Sequence, residues 1–179
     1  MLLNGPPGVG KSTLARLLVQ EHPLALCLDI DLLRRSLGRW DEHPAESGLL
    51  ARDLAVATAR VHLLSGYPVV VPQFLGRLSF VERLERLAQE LGAAFRHMVL
   101  MDSREAVIAR FQTRTSAPDA SEQHREAAEM AGGEVGLAEM HDALLSVLAA
   151  RPEAVVVQSV EGDIERAYLR LRQALMGVL

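Results

Sequence analysis

Nine residues near the start of the chain combine glycines, a lysine and hydroxyl side chains between a short apolar stretch and a segment of helical period. They are Gly5, Pro6, Pro7, Gly8, Val9, Gly10, Lys11, Ser12 and Thr13. A glycine, four residues and then Gly-Lys-Ser lets the backbone turn successive N–H groups around one phosphate. Lys11 would reach the outer phosphates of ATP, and the Ser12 hydroxyl would ligate Mg²⁺. We therefore predict a phosphate loop at residues 5–13; the alternative is a glycine-rich turn that binds nothing.

The distribution of lysine supports this interpretation and narrows the class of protein. Lys11 is the only lysine among nineteen basic side chains, and the rest are arginines. A compact ammonium on a flexible stem suits phosphate oxygens. A guanine-reading Asn-Lys-x-Asp segment would need a further lysine, so a GTPase is not predicted. The apolar run at residues 69–73 is followed by no Asp-Glu pair, which argues against a mechanical ATPase.

Two carboxylates follow the second apolar stretch. Asp29 and Asp31 come directly after residues 24–28, which we predict to form a strand. Because ligands bind beyond the carboxyl ends of parallel strands, both acids should face the same crevice as the phosphate loop. One carboxylate there can orient a hydroxyl for in-line attack, and a second can support Mg²⁺ through a water. The alternative is that both acids cap a helix at residues 31–38.

Apolar runs alternate with segments of helical period, which predicts an α/β fold whose parallel sheet is covered on both faces. The predicted strands are residues 1–4, 24–28, 69–73, 95–101 and 154–158. The predicted helices are residues 11–20, 46–65, 79–91, 103–113 and 163–176, and residues 122–149 should hold one or two more, interrupted near Gly132, Gly133 and Gly136. Their apolar residues recur at spacings of three and four, so each helix should bury one face.

Composition limits the remaining classes of protein. The 179 residues are 49% hydrophobic, enough for the core of one domain spanning residues 1–179. A net charge of -4 predicts no general attraction to nucleic acid or to an anionic membrane. The single cysteine, Cys27, cannot form an internal disulfide, and no apolar run reaches the roughly 18 residues that cross a bilayer. With no leader visible between Met1 and Gly5, we expect a cytoplasmic protein.

Three motifs together resemble those of one family. They are the phosphate loop, the Asp-x-Asp-x-x-Arg segment of Asp29, Asp31 and Arg34, and the Arg-x-x-x-Arg segment of Arg110 and Arg114. They are similar to the motifs of the small P-loop kinases that include chloramphenicol phosphotransferase, tunicamycin-resistance proteins and zeta-toxin kinases. The resemblance implies a P-loop three-layer sandwich with a five-stranded parallel sheet in the nucleoside-kinase-like order 2-3-1-4-5.

The resemblance also implies roles for particular residues. In such kinases the acid at the position of Asp31 accepts the proton of the acceptor hydroxyl. Arg110 and Arg114 would begin a helical lid at about residues 110–136 and would either stabilise charge on the transferring phosphoryl group or cover the adenine. Asp29 would hold Mg²⁺ through a water or orient its loop. For the two arginines, a solvated helix face is the alternative.

Candidates for binding the acceptor come from the loops after the second and third strands. They are Asp29, Arg34, Trp40, Gln73, Phe74 and Arg77. Gln73 stands at a position where many nucleoside monophosphate kinases have an aspartate followed by an arginine that binds the substrate phosphate, so by this resemblance its neutral amide makes a phosphorylated acceptor less favoured. Trp40 with Phe74 would form a flat wall for the acceptor unless both are ordinary packing residues. The apolar face at residues 137–148 would pack either in the core or in a homodimer.

We therefore expect an ATP- and Mg²⁺-dependent phosphotransferase, a kinase whose acceptor is a hydroxyl of a small molecule such as an antibiotic, nucleoside, sugar or sugar nucleotide. A nucleoside or nucleotide kinase is the nearer rival within the enzymes. The alternative from another class is a nucleotide-gated regulatory protein that binds ATP and phosphorylates no small molecule. No nucleic-acid or membrane partner is predicted.

Overall fold

Five short apolar strands form one parallel sheet in the computed structural model, which describes residues 1–116, 132–159 and 163–177, with the side chains of 110–112 and 114–116 outside the description. The strands are β1 (Leu2–Asn4), β2 (Leu26–Cys27), β3 (Val69–Pro72), β4 (His97–Met101) and β5 (Val155–Gln158). Their order is β2-β3-β1-β4-β5, and every neighbouring pair is parallel. The predicted sheet and its strand order are confirmed. β2 is shorter than residues 24–28 because Leu24 has a positive φ of 60° and lies outside the strand.

Seven helices surround the sheet in the described part of the chain. They are α1 (Lys11–Gln20), α2 (Ile30–Arg35), α3 (Pro44–Leu64), α4 (Leu78–Glu90), α5 (Arg104–Ser116), α6 (Gly133–Ala150) and α7 (Ile164–Met176). α5 continues three residues beyond its predicted end, and residues 117–131 of the predicted lid lie outside the described residues. Gly132 and Gly133 both have positive φ, and α6 begins at Gly133, so a helix boundary lies where the interruption was predicted. Gly136, also predicted at the interruption, lies within α6. None of the helices described here is long and apolar enough to span a bilayer.

The sheet is the middle of three layers because successive strand residues face opposite sides. In β1, Leu2 packs into a cluster with α3 and α4, whereas Leu3 packs into a second cluster with α1 and α7. Both side chains are fully buried. This packing fixes the carboxyl ends of β1, β2 and β3 at one edge, where the phosphate loop, the Asp29 loop and the loop after β3 emerge.

The apolar face at residues 137–148 packs within the chain. Leu137 and Leu144 are buried in the protein's own core, and Leu148 is half-buried. This face of α6 therefore packs in the core, which is the first of the two alternatives. It gives no support to the homodimer, which stays a prediction.

Candidate active site

The phosphate loop connects β1 directly to α1 and depends on glycine backbone. Gly5 has a φ of 150°, and an added Cβ would lie 2.6 Å from the Leu100 carbonyl oxygen. Gly10 has a φ of 97° and precedes the first residue of α1 in a left-handed conformation that side chains disfavour. A turn of this kind, leading into the positive end of a helix, fits a phosphate group.

The lysine and serine of the loop occupy the positions that the motif predicts. The Lys11 ammonium donates to the Pro6 carbonyl oxygen at 2.9 Å, so it curls back over the loop. Ser12 Oγ donates to Asp29 Oδ2 at 3.3 Å. Val9 is buried and Thr13 is exposed on α1. The hydroxyl and carboxylate oxygens that meet here are the ligand type Mg²⁺ prefers, so Ser12 and Asp29 fit the predicted metal position.

Asp29 serves the fold as well as the predicted site. It is the N-cap of α2, where its Oδ1 accepts a hydrogen bond from the Asp31 backbone N–H at 3.1 Å. Burial raises the pKa of Asp29, and repulsion from the neighbouring Asp31 raises that pKa further. Asp29 therefore caps α2, as the alternative interpretation expected, and its other carboxylate oxygen still accepts from Ser12.

Asp31 is not the helix cap. Its side chain is exposed, and Asp31 Oδ1 accepts a hydrogen bond from Gln73 Nε2 at 3.4 Å. The carboxylate thus lies two residues beyond Asp29 and is contacted by the side chain of Gln73, which directly follows β3. Gln73 Oε1 is buried and has no hydrogen-bond partner among the described residues. The structure therefore brings Gln73 to the predicted base.

Arg34 and Trp40, two predicted acceptor residues, contact each other. The guanidinium of Arg34 lies 5.0 Å from the centroid of the Trp40 ring. Arg34 also donates to the Pro44 carbonyl oxygen at 2.8 Å and to Ser47 Oγ at 3.0 Å. Ser47 Oγ in turn donates to the Trp40 carbonyl oxygen at 2.9 Å. These contacts connect α2 to the start of α3. They agree with the alternative that Trp40 is an ordinary packing residue.

A cavity of about 700 Å³ opens between α3, the loop after β3, α4 and α6. Phe74 and Arg77, both predicted to bind the acceptor, lie in its wall. Three other lining residues, Arg52, Arg83 and Met140, were not predicted to line a cavity, because they come from helices whose spatial arrangement a single sequence does not reveal. The volume is that of a small-molecule site. We call this space the acceptor cavity.

Asn4 joins the phosphate loop to the wall of the acceptor cavity. It is fully buried, and its Oδ1 accepts hydrogen bonds from the backbone N–H groups of Gly5 at 2.8 Å and Leu75 at 2.9 Å. Asn4 Nδ2 donates to the Leu75 carbonyl oxygen at 3.1 Å and lies 3.4 Å from His97 Nε2. The sequence pattern indicates Asn4 only as the last residue of a predicted strand.

His97 lies buried beside this amide. Burial lowers the pKa of its imidazole to about 4, and the positive charge of Arg151 acts in the same direction. The ring is therefore neutral near pH 7, and Nε2 of a neutral ring can accept a hydrogen bond from the Asn4 amide.

A residue after β5 contacts the phosphate loop, and α5 contains the two predicted lid arginines. Ser159 Oγ, after β5, donates to the Val9 carbonyl oxygen at 3.2 Å, a contact that no sequence motif indicates. α5 contains Arg110 and Arg114 at its predicted position, but their side chains lie outside the described residues. Their role stays a prediction.

Comparison with known proteins gives sequence relatives of kinase type. Adenylate kinases of Synechococcus sp. (strain CC9311) and Deinococcus radiodurans are 33% identical over 117 residues and 34% identical over 113. The alignments cover 60% and 58% of this chain and 64% and 57% of the relatives. The chain therefore matches less than two thirds of the length of these curated relatives.

Solved structures and a family model agree with the architecture. The tunicamycin resistance protein of Deinococcus radiodurans superposes with a TM-score of 0.60 at 18% identity, over 97% of this chain and 93% of that protein. A gluconokinase from Sinorhizobium meliloti 1021 gives 0.62 at 18%, over 99% and 94%. These likenesses confirm the predicted P-loop kinase fold. The AAA domain family model, AAA_33, matches residues 1–132, and the chain belongs to that family.

Proposed function

We propose that this protein is an ATP- and Mg²⁺-dependent phosphotransferase that phosphorylates a hydroxyl of a small molecule. The observation that carries the proposal is the line of contacts from the phosphate loop to Asp31. Ser12 donates to Asp29, Asp29 accepts from the Asp31 backbone, and Gln73 donates to the exposed Asp31 carboxylate. These contacts support Asp31 as the base, because its carboxylate is connected to the predicted phosphate loop through Asp29 and does not cap the helix.

The reaction balances with the groups that the chain provides. The acceptor oxygen forms a bond to the γ-phosphorus of ATP, the bond from that phosphorus to the bridging oxygen breaks, and ADP leaves. Asp31 receives the proton of the acceptor hydroxyl. Mg²⁺, when bound, screens the charge of the phosphate oxygens. The phosphate-loop amides and Lys11 hold the phosphates in place, and positioning supplies much of the catalysis of phosphoryl transfer.

The relatives support a kinase but leave the acceptor open. The sequence relatives are named adenylate kinases, and one structural neighbour is a gluconokinase. The acceptor classes that we consider are antibiotics, nucleosides, sugars and sugar nucleotides. Phe74 and Arg77, at the wall of the acceptor cavity, support binding of the acceptor on the side of β3 that also carries Gln73.

A transfer assay tests the proposal. Phosphoryl transfer from radiolabelled ATP is measured across the four acceptor classes with the wild-type protein, Asp31→Asn and, as a matched control, Asp41→Asn at an exposed position. We expect transfer to at least one acceptor, a fall of about 100-fold or more in kcat for Asp31→Asn, and no change for Asp41→Asn.

Two results of this assay would contradict the proposed function. Unchanged transfer by Asp31→Asn would remove that residue from the role of base. Stoichiometric ATP binding without transfer to any acceptor would favour the nucleotide-gated regulatory protein instead.

A further inference from the structure

The acceptor cavity is lined by more positive charge than a neutral acceptor requires. Arg52 on α3, Arg77 before α4 and Arg83 on α4 all line it, whereas Glu139 on α6 is its one acidic lining residue. Arginine side chains at the wall of a concave site are suited to planar anions because the guanidinium presents paired N–H donors.

The three arginines differ in whether a carboxylate of the protein already pairs with the guanidinium charge. Arg83 donates to Asp53 Oδ1 at 2.6 Å at the protein surface. Arg52 lies over the Phe80 ring, 5.9 Å from its centroid, a contact that orients the guanidinium without neutralising it. Within the described residues, Arg52 and Arg77 have no hydrogen-bond or ion-pair partner. Two such charges at the wall of one cavity repel each other, and a bound anion would relieve that repulsion.

One residue of the cavity wall is the chain neighbour of the residue that contacts the candidate base. Phe74, in its wall, directly follows Gln73, whose amide contacts Asp31. Apolar lining from Phe74, Phe80 and Met140 suits the carbon skeleton of a small molecule. An acceptor lying along this wall can therefore have one polar end near the arginines and another near Asp31.

We propose that the acceptor carries an anionic group, a carboxylate or a phosphate, which Arg52 and Arg77 bind while its hydroxyl lies at Asp31. This inference rests on the proposed function and specifies its substrate class. Gln73 has a neutral side chain, which by itself disfavours a phosphorylated acceptor. Gln73 contacts Asp31, however, and is not among the residues that line the cavity, so it does not argue against an anion bound there by Arg52 and Arg77.

Paired acceptors test the inference. Transfer from ATP is compared between a neutral sugar and the sugar acid of the same skeleton, and between a nucleoside and its monophosphate, which separates carboxylate from phosphate. The variants are Arg52→Gln and Arg77→Gln, with Arg86→Gln on the exposed side of α4 as control. We expect the charged member of one pair to be preferred at least tenfold in kcat/KM. In each cavity variant the KM for that acceptor should rise by about tenfold or more, while the KM for ATP stays constant.

A binding measurement separates failure of this inference from failure of the proposed function. The same sugar acid and nucleoside monophosphate are titrated in a thermal-shift assay without ATP, where the wild-type Tm should rise and the rise should be lost in both cavity variants. Transfer with no preference for the charged acceptors, or equal behaviour of the Arg52 and Arg86 variants, would overturn the anionic site while leaving a kinase. Arginine-dependent binding without any transfer would support the site and contradict the kinase.

Discussion

The side chain of Asn4 forms two hydrogen bonds to the backbone of Leu75, one in each direction, at 2.9 and 3.1 Å. The same amide accepts from the N–H of Gly5, the first residue of the phosphate loop. One buried side chain therefore links the phosphate loop to the wall of the acceptor cavity. The in-line transfer that we propose would depend on this link, since small displacements of reacting groups are costly.

Replacing Asn4 by aspartate should damage the protein in a pH-dependent way. The variant has no donor for the Leu75 carbonyl, so its carboxylate would face that oxygen without a hydrogen. Protonation of the new carboxyl restores the donor to the Leu75 carbonyl, whereas a protonated His97 would donate to the carboxylate itself. We expect Asn4→Asp to lower Tm and kcat more at pH 8 than at pH 6. Asn4→Ala, which leaves several backbone groups unpaired at about 1–3 kcal/mol each, should show a deficit that changes less with pH. Parallel deficits in the two variants would contradict this account.

His97 should make the stability of the fold fall in mild acid. Its pKa in the native protein is about 4, below the ordinary value of 6.5. Between these values the unfolded chain takes up a proton that the native protein does not, so the free energy of unfolding decreases as pH falls from about 6.5 toward 4. Each pKa unit of separation corresponds to about 1.4 kcal/mol.

Urea unfolding of wild type and His97→Gln between pH 7.5 and 4.5 measures this effect. The variant should be less stable at pH 7.5 because it fits the site less well, and the gap should narrow as the pH falls. A gap of constant size would show that His97 does not titrate as described.

The strands and helices could be predicted from local patterns because the residues that form apolar patterns in the sequence are those that pack in the core. The run Val69, Val70, Val71 is buried on both faces, and an uninterrupted apolar stretch is typical of such a strand. α1 matches its predicted range of 11–20 because the phosphate loop fixes where that helix begins. The order of the strands came from resemblance to a family rather than from these patterns.

The site could be predicted only where it is local in sequence. Lys11 and Ser12 are signalled by neighbouring glycines, whereas the Asn4–Leu75 contact spans 71 positions. The acceptor cavity draws Arg52 and Met140 from helices far apart in the chain. Helical periodicity shows which face of a helix is buried and leaves open which other helix it meets.

Asp29 should titrate above the usual range of an aspartate because of burial and the charge of Asp31. Removing that charge in Asp31→Asn should bring the pKa of Asp29 down, since burial alone then remains to raise it. Carbon-detected NMR titration of the side-chain carboxyl follows this directly. Asp41→Asn, which changes an exposed carboxylate elsewhere, should leave the Asp29 titration unchanged. An identical Asp29 midpoint in wild type and Asp31→Asn would show that the two carboxylates are not coupled.

We expect the phosphate loop to bind the phosphates of Mg²⁺-ATP, with the ammonium of Lys11, the one lysine of the chain, on the outer phosphates. Isothermal titration calorimetry with ATP at saturating Mg²⁺ tests it most directly, using wild type, Lys11→Ala and, as a control on the exposed face of α1, Arg16→Ala. We predict one site per chain in wild type and in Arg16→Ala, and loss of at least about 100-fold in affinity in Lys11→Ala, because charge-assisted contacts to phosphate are lost. No binding by the wild type, or equal binding by Lys11→Ala, would contradict the account.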